Sequence, residues 1–102
     1  MLISDKMDEN TDRNSHYGVV FMILDKVRDI LAKNGRLSTS VDQLDNDSDL
    51  YNAGLTSLAT VGVMLALEEE FDIEIPDNML GRKTFGSIQS IADVVHQLTN
   101  KN

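Results

Sequence analysis

Apolar residues recur at helical spacing in three stretches of this chain. Val20, Ile23, Leu24, Val27, Ile30 and Leu31 mark a first helix. Asn34-Gly35 supplies its stop, since both residue types tolerate the left-handed conformation that ends helices. A second helix is predicted from Ser57, or just after it, to about Phe71. Gly54 permits a sharp turn before it, and Thr56 and Ser57 are both good N-cap residues. Pro76 forbids continuation. A short helical turn fits Asp77 to Leu80. A last helix starts near Ser87, with Ile88, Ile91, Ala92, Val95 and Leu98 on its inner face. Phe71 to Ile75 alternates with period two, but a lone strand has no partner, so the segment reads as extended loop.

A long connection, Gly35 to Thr56, separates the first two helices. Its polar stretches rule out a second long buried helix. Val41, Leu44, Leu50, Tyr51 and Leu55 are spaced to pin it onto a core, with room for a short turn of helix. The expected fold is all-α, an antiparallel bundle of three main helices plus one short helix, a four-helix bundle by count. Residues 1–15, poor in apolar positions, read as a disordered lead; residues 16–99 read as the folded domain and 100–102 as a frayed tail.

On a helical wheel of residues 57–71, Val63, Met64, Leu67 and Phe71 form one apolar stripe. Leu58, Val61 and Leu65 form a second, nearly opposite, flanked by Glu68 and Glu69. A helix in a small bundle needs one buried face. The second stripe must either pack under the long loop or stay bare for a partner. The reading taken is a mixture, with Leu55 and Tyr51 covering one end and Val61 and Leu65 left available.

Charge sharpens this picture. The formal net charge is −8, and between Leu37 and Gly81 there are ten acids and no Lys or Arg. Such a surface repels nucleic acid and anionic membranes and attracts a partner with a basic face. It also suits plain solubility. With no cysteine, disulfides, cysteine nucleophiles and thiolate metal sites are excluded, which is compatible with the cytoplasm. No stretch is apolar enough to span a bilayer, and residues 1–14 do not read as a signal peptide.

Few motifs suggest chemistry of the chain's own. Asp45, Asp47 and Asp49 alternate as in a calcium loop, but Leu50 and Thr56 stand where its glycine and bidentate glutamate belong. His16 and His96 are isolated, without metal-ligand spacing. Ser57 lacks the flanking glycines of a hydrolase nucleophile elbow. No catalytic and no metal residues are expected. Ser57 does lie at a helix start, where unpaired N–H groups and the helix dipole favour an anion; the same position suits a plain cap.

The run Ala53-Gly54-Leu55-Thr56-Ser57-Leu58-Ala59-Thr60-Val61, continued by Leu67-Glu68-Glu69-Glu70-Phe71-Asp72-Ile73-Glu74-Ile75-Pro76-Asp77, resembles the acyl carrier protein family. The resemblance spans about residues 18 to 98. Asp77-Asn78-Met79-Leu80-Gly81-Arg82-Lys83-Thr84-Phe85 is similar to stand-alone aminoacyl carrier proteins in particular. The resemblance implies that Ser57 is esterified with phosphopantetheine by a separate transferase using coenzyme A. It implies a thioester-linked amino acid, delivered by a ligase similar to the catalytic core of seryl-tRNA synthetase. Thr56, Leu58, Val61, Leu65, Glu68 and Glu69 are then the docking residues. Val63, Leu67, Phe71 and Ile75 are core positions, and a monomer is expected. Four features depart from the family: Thr56 replaces the commoner aspartate before the serine, Gly62 stands where many relatives have an acid, a lead of about 16 residues precedes the matching region, and two extra residues lie between Pro76 and the last helix. Service to fatty-acid or polyketide synthesis is the alternative, and an unmodified acidic interaction module a second.

Overall fold

The computed structural model describes residues 2–100, with side chains from Gly18 onward. Three α-helices carry the fold: α1 (Leu2–Asn34), α2 (Ser57–Phe71) and α3 (Ile88–Thr99). Two 3-10 turns, Val41–Gln43 and Asp77–Met79, interrupt the connections. The first is a short helical turn within the long connection, where Val41 is buried. Among the described residues there is no strand, and Ile73 to Pro76 runs as extended loop. α1 begins well upstream of its apolar repeat; the lead expected over residues 1–15, like His16, falls outside the described side chains.

The core is a contiguous aliphatic cluster with one large aromatic. Val27, Leu31, Leu50, Val63, Leu67, Phe85, Ile88, Ile91 and Val95 are sealed from solvent. α3 is apolar on one side only, so its inner face fixes its rotation against α1. α1 and α2 run antiparallel. Lys26 of α1 pairs with Glu70 at 3.5 Å, and Gly62, two turns earlier in α2, faces the end of α1 at Asn34. α3 lies against α1 as well, with Val20, Ile23, Ala92 and His96 lining one small cavity between them.

Helix ends show where sequence signals act differently from first appearance. α1 does stop at Asn34-Gly35, but the left-handed residue is Arg36, with φ 51°. Gly35 is needed for closeness instead: a Cβ there would stand 2.7 Å from the Leu31 carbonyl oxygen. α2 ends before Pro76 has any effect. Asp72 turns left-handed at φ 53°, and the Ile73 N–H reaches back to the Glu68 carbonyl at 3.1 Å, the Schellman closure. Pro76 opens the second 3-10 turn. At α3, Ser87 and Ser90 cap each other reciprocally.

The long loop is bound at several points. Arg28 donates to the Val41 carbonyl and to Asn46 Oδ1, clamping the loop to α1. Ser38 N–H and Oγ both donate to the Ala53 carbonyl. The Leu50 and Gln89 N–H groups bond Gly86 and Asn46 carbonyls, lacing the loop to the start of α3. Asp49 accepts from the Tyr51 and Asn52 N–H groups, so this member of the alternating aspartates serves a turn.

Gly54 sits at the exit of this loop with φ +111°, and a Cβ would stand 2.8 Å from the Ser38 amide nitrogen. Gly54→Ala is therefore expected to cost about 2 kcal/mol, lowering the melting temperature by roughly 10 °C in a domain of this size. Gly81, with nothing within 4 Å of its Cβ position, is the control. Thermal unfolding followed by circular dichroism checks the pair; equal melting points would contradict the assigned turn.

Candidate functional site

The turn at Gly54 aims the chain into α2 through Leu55 and Thr56. Leu55 is buried in the core, anchoring the approach. This corrects the expectation that Leu55 lies over the second stripe of α2: the loop spends it inward. Thr56 is extended, and its Oγ1 accepts the Ala59 N–H at 3.1 Å. The same residue's carbonyl accepts the Thr60 hydroxyl at 2.7 Å. Thr56 is thus the N-cap, and Ser57 is the first helical residue.

That assignment settles which of two adjacent hydroxyls is occupied. Ser57 is exposed, and its Oγ makes no hydrogen bond among the described residues. Its own N–H and that of Leu58 have no intrahelical partner, as first-turn donors never do. An ester oxygen formed on Ser57 would lie in the positive end of the α2 dipole.

The exposed side of α2 carries the second apolar stripe. Leu58 is 84% exposed, Val61 50% and Leu65 56%, against 0% for Val63 and Leu67 on the opposite side. Met64 and Phe71 of the first stripe are only half-buried, packing on the margin of the core. Of the expected core positions, Val63, Leu67 and Ile75 are therefore interior and Phe71 is peripheral. The loop leaves Leu58, Val61 and Leu65 bare.

The three consecutive glutamates do three different things. Glu68 Oε2 accepts the Ile75 N–H at 2.9 Å, bracing the loop after α2. Glu70 pairs with Lys26. Glu69 is exposed with no ion pair at 4.0 Å or less among the described residues. Helical periodicity marked Glu68 and Glu69 alike; the bond to Ile75 needs the chain reversal at Asp72, which no local spacing reveals.

Beside Ser57 lies an open groove of about 450 Å³. Tyr51, Thr60, Val61, Met64 and the 80–85 segment line it. Arg82 was not among the expected site residues, yet its guanidinium stands 3.9 Å from the centre of the Tyr51 ring. The Tyr51 hydroxyl donates to the Arg82 carbonyl at 2.7 Å. Partial burial raises the Tyr51 pKa, outweighing the opposite pull of Arg82 and reinforced by Asp49, so the phenol stays a donor. No helix among the described residues is long and apolar enough to cross a membrane.

A free hydroxyl at a helix start, next to a groove and flanked by a bare apolar stripe, fits a phosphopantetheine arm. The comparisons agree. Residues 25–96 match the family model described as phosphopantetheine attachment site. The chain is 56% identical over 69 residues to an aminoacyl carrier protein of Agrobacterium fabrum (strain C58 / ATCC 33970), covering 68% of this chain and 83% of that one. It resembles a chain in the crystal structure of an engineered Bradyrhizobium japonicum glycine:[carrier protein] ligase complexed with carrier protein from Agrobacterium tumefaciens and AMP. There the TM-score is 0.69 at 54% identity, with 71% of this chain and 96% of that one covered. The corresponding complex with ATP gives 0.72 at 51% identity, covering 74% and 99%. The chain belongs to the phosphopantetheine attachment family, alongside the aminoacyl carrier proteins.

Proposed function

We propose that Ser57 carries the phosphopantetheine arm and that the cargo on it is an amino acid, delivered by a ligase that docks on α2. The observation that carries this is the division of labour at the start of α2: Thr56 takes the cap, and Ser57 is left exposed and unbonded. The arm, once attached from coenzyme A by a transferase, supplies a thiol that holds the cargo as a thioester. The chain has no cysteine, so that thiol has no competitor on the same molecule.

The protein's own contribution is address and tether. Leu58, Val61 and Leu65 offer a desolvable centre, and Glu69 a charge at its rim. Thr56 borders the serine and lacks the charge an aspartate would bring. Glu68 contributes negative potential while its carboxylate is committed to Ile75. A basic partner face is attracted from a distance, and tethering raises the local concentration of the cargo at each enzyme. The glycine:[carrier protein] ligase complexes of the similar carrier support an amino acid over a fatty-acyl or polyketide cargo. Glycine is the first amino acid to test. A working monomer in the cytoplasm fits a face that must stay bare for ATP-dependent loading.

Thioester loading tests the reading. Modified protein supplied with glycine, ATP and such a ligase is expected to gain the mass of one glycyl group; malonyl or fatty acyl donors are expected to add none. Acceptance of acyl donors alone would refute the aminoacyl assignment. Ser57→Ala is expected to abolish modification. Thr56→Ala is expected to keep the attachment serine while losing about 1 kcal/mol of stability with the cap.

The docking face makes a separate prediction. Leu65→Asp and Glu69→Lys are expected to weaken ligase binding, measured by calorimetry, by tenfold or more, with melting points within a few degrees of wild type. Glu68→Ala is expected instead to lower stability by about 1 kcal/mol, through the unpaired Ile75 N–H.

A further inference from the structure

Arg82, followed by Lys83, ends a long stretch of the chain without cations. From Leu37 to Gly81 the chain has ten acids and no Lys or Arg, and Arg82 is the first basic residue after that stretch. In so acidic a domain a guanidinium is expected to meet a carboxylate. Arg82 meets none at 4.0 Å or less among the described residues. It is stacked instead on the face of Tyr51, and it lines the same groove as Ser57.

The stack is a mounting. Tyr51 is tied at its backbone by Asp49 and at its hydroxyl by the Arg82 carbonyl. Ring stacking occupies one face of the guanidinium and leaves its N–H edge free, and an arginine held this way loses less freedom on meeting an anion. A guanidinium edge is matched in shape and charge to phosphate oxygens.

We propose that Arg82 is a positioning residue for the phosphodiester on Ser57, leaning the root of the arm into the groove between α2 and the 80–85 segment. This rests on Ser57 being the attachment serine. The contact holds the phosphate end of the arm beside the groove.

Side-chain NMR tests the contact. Intact mass first establishes that the protein has gained one phosphopantetheine; if wild type gains none under several transferases, the carrier reading and this proposal fall together. With the arm attached, the Arg82 Nε–Hε resonance is expected to shift relative to the unmodified protein, and less so as salt is raised. Unmodified protein in millimolar inorganic phosphate is expected to show no such shift. In the modified protein, the 31P resonance of the phosphodiester is expected to move in Arg82→Gln and to return towards wild type in Arg82→Lys. Modification that leaves the Arg82 resonance unmoved, a 31P signal indifferent to Arg82→Gln, or an equal shift caused by free phosphate would overturn the positioning role while leaving Ser57 as the attachment site.

Discussion

The bond from the Ala59 N–H to Thr56 Oγ1, 3.1 Å long, decides what the neighbouring serine can do. A helix start needs an acceptor for its first N–H groups, and a serine hydroxyl is among the best. Had Ser57 supplied it, the oxygen would be spent on the backbone. With Thr56 in the cap, Ser57 moves one residue into the helix, where its side chain is exposed and its oxygen unengaged. The arrangement depends in turn on Gly54, whose positive φ and close approach to Ser38 set the angle at which the chain enters α2. Leu55, buried between the two, holds the angle.

From that constraint the rest of the surface follows. One side of α2 is committed to the core through Val63 and Leu67, so the side nearest Ser57 is necessarily free. Leaving Leu58, Val61 and Leu65 in water forgoes burial the fold could use, roughly 25 cal/mol for each Å² of apolar surface. A partner that covers the stripe recovers it. Of the three glutamates, Glu70 is paired with Lys26 and Glu68 is bound to the Ile75 N–H, so on the proposed reading Glu69 is the carboxylate left to steer that partner. Adjoining both Ser57 and Val61, the groove walled by Tyr51 carries the opposite charge of the Arg82 guanidinium. An arm on Ser57, as proposed, would leave the surface beside both the acidic face of α2 and the Arg82 guanidinium.

Much of this was legible in the residues. Helical periodicity located α2 and α3 to within a residue or so, because both are bounded by local signals: Thr56 before one helix, Ser87 before the other. The two-sided apolar pattern of α2 announced a surplus face. Signals that failed were those that depend on what a residue touches across the fold. Gly35 looked like a left-handed stop and is instead a contact with Leu31, while Arg36 makes the turn. Glu68 looked like its neighbour Glu69 until the chain reversed at Asp72 and brought Ile75 beneath it. Tyr51 and Arg82, separated by thirty-one positions, meet only because the long loop and the 80–85 segment are laced together at Leu50 and Gly86.

Thr56 and Ser57 are adjacent hydroxyls with different assignments, and that difference is open to direct measurement. Peptide mass mapping of the protein taken from its own cells locates any modification to a single residue. The account predicts phosphopantetheine on Ser57 and a bare Thr56. An arm on Thr56, or a native protein carrying none at all, would contradict it.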